Sequence, residues 1–212
     1  MKYRVRVKCD QGLVRENMED AAYPDCGFEG ILESPHAVAV ADGLGGHPAG
    51  EVASAITVSH VKEIVDEKTF KEAMQKACKE VGEAHPGCAT TLTLAVLGDD
   101  YVDVYWIGDS PAILIDKEGK PSFISTPHAE PYTGRITSVI GGRKPCDFFY
   151  DKVRVPLDKI KAVILATDGL TAHLSLKDIG QKYLEGADLV QEALDRGGSD
   201  NVTVIVIEPV EE

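Results

Sequence analysis

Positive charge is scarce in this chain: 22 Lys and Arg stand against 35 Asp and Glu over 212 residues, a formal net charge of −13. A phosphate backbone would be repelled by such a surface outside a local patch, so nucleic-acid binding through a general basic field is excluded. Also missing are a Gly/Ser linker, a low-complexity stretch and a repeated period, which argues for one domain over residues 1–212 and against a solenoid or propeller. The five cysteines, Cys9, Cys26, Cys78, Cys88 and Cys146, are odd in number and form no C-x-x-C pair. Neither a zinc site nor a disulfide framework is expected, and we read them as buried thiols. The stretch MKYRVRVKCDQ alternates basic and apolar residues without the apolar core of a signal peptide, so a cytoplasmic protein with no membrane partner is expected. No G-x-S-x-G elbow occurs, and no motif is read as demanding a covalent intermediate.

What the chain does carry is a set of five short carboxylate motifs, four of them where an apolar run begins or ends: Glu19 and Asp20 in RENMED, Asp42 in VAVADGLGG, Asp109 in VYWIGDS, Asp168 in VILATDG and Asp200 in SDNVTVIVIE. An apolar run that stops at an Asp reads as a buried strand delivering a carboxylate to a sheet edge, so the acids are expected to converge. Converging carboxylates need a cation, and hard oxygen ligands without His or Cys favour Mg²⁺ or Mn²⁺ over Zn²⁺. Asp42 is followed by Gly43, whose backbone bends sharply enough for its carbonyl to act as a further hard ligand. Two ions bridged by Asp42, with Asp20, Gly43, Asp168 and Asp200 around them, would leave room for a water that becomes hydroxide near neutral pH and attacks phosphorus directly. Arg15, a few residues before Glu19 and Asp20, is the candidate phosphate clamp, since its planar fork takes two phosphate oxygens at once. A single Asp-Gly is an ordinary turn; only the combined set carries the reading.

Residues 2–9 and 36–41 read as strands. Pro48 opens a helix to about residue 66, with Val52, Ala55, Ile56, Ser59 and Val61 on one face. A second helix, Phe70 to Ala84, carries Phe70, Ala73, Met74, Ala77, Cys78 and Val81 at three- and four-residue spacing, its Lys and Glu residues solvated. CATTLTLAVL, YVDVYWIG and AILIDKEG follow as an antiparallel meander. A short helix is expected around Arg135–Ile140, ending at Gly141–Gly142. Strands near 147–155 and 161–167, helical segments near 169–183 and 186–195, and a last strand at 201–207 complete the chain. Helices in two blocks, without regular β-α-β alternation, predict an α+β layered sandwich rather than a doubly wound sheet. Trp106, Thr90 and Thr91 read as packing residues, and His36, His60, His85, His128 and His173 as surface or capping residues.

In order and approximate spacing, DQGLVRENMEDA, VAVADGLGGHPAGEVAS, GCATTLTLAVL, WIGDS, LATDGL and SDNVTVIVI resemble the motifs of the metal-dependent serine/threonine protein phosphatase family, type 2C. The resemblance runs from Asp10 to Ile207. It implies a four-layer α-β-β-α sandwich with two central, mainly antiparallel sheets and a site for two Mn²⁺ or Mg²⁺ ions at one end. By motif, Asp20, Asp42, Gly43, Asp168 and Asp200 look like ligands of those two ions, Glu19 an acid that orients the attacking water, Arg15 the phosphate ligand and Asp109 the acid of a more weakly held third ion. The implied activity is hydrolysis of phosphoserine and phosphothreonine on proteins by a monomer. A catalytically silent phosphoprotein-binding domain and a phosphatase of small metabolites are the alternatives. Met18 replaces a common Asn of the family, and three further departures motivate the silent reading: Pro111 replaces the Arg usual after Gly-Asp-Ser, Ala172 a second acid for the third ion, and Leu44 a His of eukaryotic-type members. Bacterial-type members also lack that His, and His47 or a metal-bound water is the candidate proton donor in its place. Ser125–Gly142 resembles a shortened form of the flap that borders the site in bacterial-type relatives.

Overall fold

The alternation read at the start of the chain is a strand: in β1 (Lys2–Asp10) Tyr3, Val5 and Val7 are buried while Lys2, Arg4 and Lys8 face solvent. The computed structural model describes residues 1–45 and 47–211; Gly46, part of the glycine turn, lies outside the described residues. Three strands follow, β2 (Asp20–Tyr23), β3 (Glu29–Glu33) and β4 (His36–Asp42), then helices α1 (Gly50–Ser59) and α2 (Glu67–Ala84). The strand-rich middle comprises β5 (Ala89–Thr90), β6 (Leu92–Leu97), β7 (Tyr101–Ile107), β8 (Ala112–Asp116), β9 (Pro121–Phe123), β10 (Ile140–Gly141), β11 (Asp151–Pro156) and β12 (Ile160–Ala166). Short helices α3 (Asp168–Thr171), α4 (Leu176–Leu184) and α5 (Leu189–Asp195) lead into β13 (Val202–Pro209).

Two antiparallel sheets form the centre. One has the order β3-β1-β13-β12-β8-β9 and the other β11-β7-β6-β4-β2, with a small β10-β5 pair at one end. Tyr3, Val5, Val7, Val38, Val40, Leu97, Val163, Leu165, Ile205 and Ile207 fill the space between them. Each such side chain, fully withdrawn from water, contributes about 1.5–3 kcal/mol. On the far side of the five-stranded sheet lie α1 and α2, packed through Ala53, Phe70, Met74, Ala77 and Val81. Helices α3 to α5 cover the six-stranded sheet through Leu170, Ile179, Leu189, Val190 and Ala193. The four-layer α-β-β-α sandwich expected from the sequence is the observed architecture. No described helix is long and apolar enough to cross a membrane.

Helix α2 buries the six residues its spacing picks out, and Asp66 caps it with a reciprocal bond to Thr69. Other expectations need correction. Helix α1 stops at Ser59 and buries Gly50, Ala53, Ser54, Thr57 and Val58, one step round from the face expected, because small residues let it approach β2 and β4 closely. The meander breaks after β7: β6 pairs with β7, but β8 crosses at Gly108–Pro111 to pair with β12. Arg135–Ile140 is not helical. Ile136 bridges to Ala129, Thr137 N–H donates to the His128 carbonyl, and Ile140 pairs with Thr90. The first of the late helical segments is interrupted between Thr171 and Leu176.

Four cysteines are disulfide-bonded, Cys9 to Cys26 and Cys78 to Cys146; only Cys88 is the buried thiol expected. Both pairings depend on distant segments meeting. The turn that holds Cys26 folds back on β1 through Gly27 N–H on the Val7 carbonyl, and Pro145 lies against Gly82 of α2. Spacing along the chain carries neither proximity.

Candidate metal centre

Asp20 begins β2 and Asp42 ends β4, and antiparallel pairing sets the two directly opposite each other. The six-stranded sheet brings its own acids to the same end. Strand β12 runs out at Ala166, so Asp168 opens α3, and Asp200 lies two residues before β13 begins. Two hydroxyls join the sheets: Thr167 and Thr203 each donate to Asp20 Oδ2, at 2.8 and 2.7 Å. Asp109, in the turn after β7, is near enough for the charges of Asp168 and Asp200 to act on its carboxyl. His128 braces that turn. It is buried rather than at the surface as expected, accepting from Gly108 N–H at 3.0 Å on Nδ1 and facing Asp151 at 2.7 Å through Nε2.

So many acids in one place strain one another. Burial raises the Asp20 carboxyl to about 6, against the pull of the Thr203 and Thr167 hydroxyls. Asp42 is held well above the usual carboxylate range, first by burial and then by the charges of Asp20 and Asp168. Asp109 rises to about 6 from burial and Asp168, and Asp200 rises for the same two reasons. One carboxylate oxygen each of Asp20, Asp109 and Asp168 is buried with no hydrogen-bond partner. Unsatisfied buried oxygens are costly, and a divalent cation is the partner they fit. Among the described residues no three Asp, Glu, His or Cys side chains stand round one common point as ligands of a single ion would.

Gly43 suits its expected place for a reason of space. A Cβ there would lie 2.2 Å from the Gly50 carbonyl oxygen, so no side chain fits. It bridges to Thr90, and the flanking bonds run from Thr91 N–H to the Asp42 carbonyl and from Leu44 N–H to the Ala89 carbonyl. The Gly43 carbonyl itself is left outside that ladder.

Arg15 and Glu19 lie on the loop between β1 and β2, which is tied down from the other end of the chain. Asn201, 4 % exposed, donates to the carbonyls of Gln11 and Asn17 at 2.8 and 2.9 Å and accepts from Glu19 N–H at 2.8 Å. Arg15 Nε pairs with Asp200 at 3.2 Å rather than with Glu16 or Glu19, and is half exposed. Glu19 presses on α1, where a Cβ on Gly50 would stand 2.1 Å from Oε2. Its carboxyl is raised by burial and by Glu51. Asn201, Thr167 and Thr203 went unrecognised in the sequence; the signal was their position beside the motif acids in ATDG and SDNVT. A C-x₅-R spacing does run from Cys9 to Arg15, but Cys9 is bonded to Cys26 and offers no thiolate. His47, on the exposed side, has Nδ1 3.1 Å from the Gly87 carbonyl oxygen.

The profile of the family described as Protein phosphatase 2C matches residues 25–201. The chain belongs to that family. The matched span starts after Arg15, Glu19 and Asp20. The chain is 27 % identical to the Serine/threonine protein phosphatase PstP of Mycobacterium tuberculosis over 98 % of its own length and 45 % of the relative's. It therefore spans less than half of that protein. With the Serine/threonine phosphatase stp of Listeria innocua it shares 26 % identity over 95 % of this chain and 94 % of that one. Among solved structures, the catalytic domain of the serine threonine protein phosphatase PstP in complex with two manganese ions superposes with a TM-score of 0.81 at 26 % identity, covering 99 % of each chain. As a protein phosphatase 2C member, the chain has its two-sheet core in a fold shared with that structure.

Proposed function

We propose that residues 1–212 form one catalytic domain, a metal-dependent protein serine/threonine phosphatase acting on phosphoserine and phosphothreonine. The observation that carries the reading is the meeting of Asp20, Asp42, Asp109, Asp168 and Asp200 at one end of the sandwich, three of them with a buried, unpartnered oxygen. Asp20, Asp42, Gly43, Asp168 and Asp200 would hold two Mn²⁺ or Mg²⁺ ions, with Asp109 toward a weaker third. Bound there, the ions supply positive charge for the phosphoryl oxygens and a nucleophilic water at neutral pH. The chain's own groups do the rest. Arg15, held by Asp200 and by the Asn201-braced loop, offers its guanidinium to the phosphate. Glu19, packed on Gly50 and with its carboxyl raised, orients the attacking water or accepts its proton. The names of the relatives support phosphoproteins as substrates. We read the protein as a cytoplasmic monomer without nucleic-acid or membrane partners.

The test is hydrolysis of p-nitrophenyl phosphate by metal-stripped protein with Mn²⁺ or Mg²⁺ added back, beside Asp42→Asn and Asp168→Asn. Turnover that requires the ion and is lost in both variants is expected. Folded protein inactive with either ion, or variants as active as the parent, would sink the reading.

A further inference from the structure

Beside the acid cluster runs an open groove of ≈ 830 Å³. Its inner wall is Leu44 and Gly45, and a Cβ on Gly45 would stand 3.0 Å from Arg15 Nη1. The groove therefore opens onto the place where Arg15 would clamp a phosphate. Its outer wall carries Arg135, Arg143 and Lys144, all exposed, with His47 at the rim. Among the described residues none of those three cations enters an ion pair, whereas Arg6, Arg15, Arg154 and Arg196 each do. Asp147 is the one acid along the described lining. A local cluster of free cations on a protein of net charge −13 is the reverse of its general surface.

The wall is also firmly held. Gly142 N–H donates to the Cys88 carbonyl at 2.9 Å and Gly141 N–H to the Pro145 carbonyl at 3.1 Å. Gly141 pairs with Ala89, and Cys146 is bonded to Cys78 of α2. Arg143 and Lys144 thus project from a braced turn, so less freedom is lost when a ligand meets them.

We propose that this groove recognises acidic side chains that flank the phosphorylated residue of a protein substrate. The inference rests on the phosphatase reading above. An extended peptide advances about 3.3 Å per residue, so acids a few positions from the phosphorylated residue would reach the groove when the phosphate sits at Arg15. Exposed ion pairs are individually weak, and three acting together are worth about a tenfold gain in kcat/KM.

The experiment uses Mn²⁺-loaded protein and two phosphothreonine peptides that differ only in flanking Glu or Gln, with p-nitrophenyl phosphate alongside. The quantity read is the ratio of kcat/KM for the acidic peptide to that for the neutral one, compared within each protein so that changes in overall activity cancel. About tenfold is expected for the parent at low salt, falling toward one as salt is raised. The triple variant Arg135→Gln, Arg143→Gln, Lys144→Gln should bring the ratio near one, and the corresponding triple Glu variant should take it below one. A parent ratio near one, or a ratio unmoved in both variants, overturns the groove while leaving the phosphatase reading intact. Failure of the parent on p-nitrophenyl phosphate removes the phosphatase reading, and the groove proposal with it.

Discussion

Asp20 and Asp42 face each other across the β2–β4 pair, two carboxyls in register at the point where both strands meet the acids of the second sheet. Both are raised, and Asp42 carries the charges of Asp20, Asp168 and Asp200 on top of its burial. Each therefore keeps its proton to a higher pH than an isolated carboxyl would.

Stability should therefore depend on pH in a definite sense. A carboxyl whose folded pKa lies above its ordinary value contributes stability that is full below 3.8 and fades as pH rises through about 6, as for Asp20 and Asp109. The metal-stripped protein is expected to melt several degrees lower at pH 8 than at pH 5. Mn²⁺ should raise Tm at both, and more at pH 8. Differential scanning fluorimetry in EDTA and in Mn²⁺ makes the comparison; an Mn²⁺ gain that is larger at pH 5 would contradict it.

Asn201→Ala removes three hydrogen bonds that lock the loop bearing Arg15 and Glu19. A loss of about 2–3 kcal/mol in stability is expected from urea unfolding. Turnover of p-nitrophenyl phosphate should fall by about tenfold or more, because Arg15 would no longer be held in place. Parent-like kinetics would show that the loop is positioned by other contacts.

Thr203→Val deletes one of the two hydroxyls on Asp20 Oδ2. Without that donor the carboxyl should hold its proton more tightly, and a divalent ion would compete less well. Calorimetric titration at pH 7 is expected to show Mn²⁺ bound several-fold more weakly than by the parent. Affinity equal to the parent's would detach this hydroxyl from the site.

Gly43→Ala places a methyl 2.2 Å from the Gly50 carbonyl oxygen, a backbone atom that cannot swing aside. About 3 kcal/mol of destabilisation is expected, measured by denaturant midpoint. A variant as stable as the parent would mean that α1 can retreat from β4.

Reduction of Cys78–Cys146 should loosen the turn behind Arg143 and Lys144. The link closes 68 residues of sequence, and such a cross-link contributes about 2–4 kcal/mol. A Cys146→Ser protein should unfold at correspondingly lower urea. An unchanged midpoint would mean the link adds nothing to the folded state.

What was legible in the sequence shared one physical cause. Asp42 and Asp168 could be read because each ends an apolar run, and the buried face of α2 because one side of a helix repeats every three to four residues. What escaped depends on partners far away in the chain. Strand β2 is four residues long and exists because β4 offers it an edge. Asn201 looks like any polar loop residue until its partners at Gln11 and Asn17 arrive. Helix α1 buries Gly50 and Ser54 in preference to Val52 and Ile56, since closeness to Glu19, not bulk, decides its face. The cysteines paired for the same reason, by contact across the fold.

The position of β13 between β1 and β12 has a consequence for how the protein is made. As the chain leaves the ribosome, the strands on either side of that slot are synthesised first and wait with their inner edges open. Asp200 and the Asn201 clamp arrive only with the segment that fills it. The full set of acids and the fixed Arg15 loop therefore depend on the central strand being in place between β1 and β12.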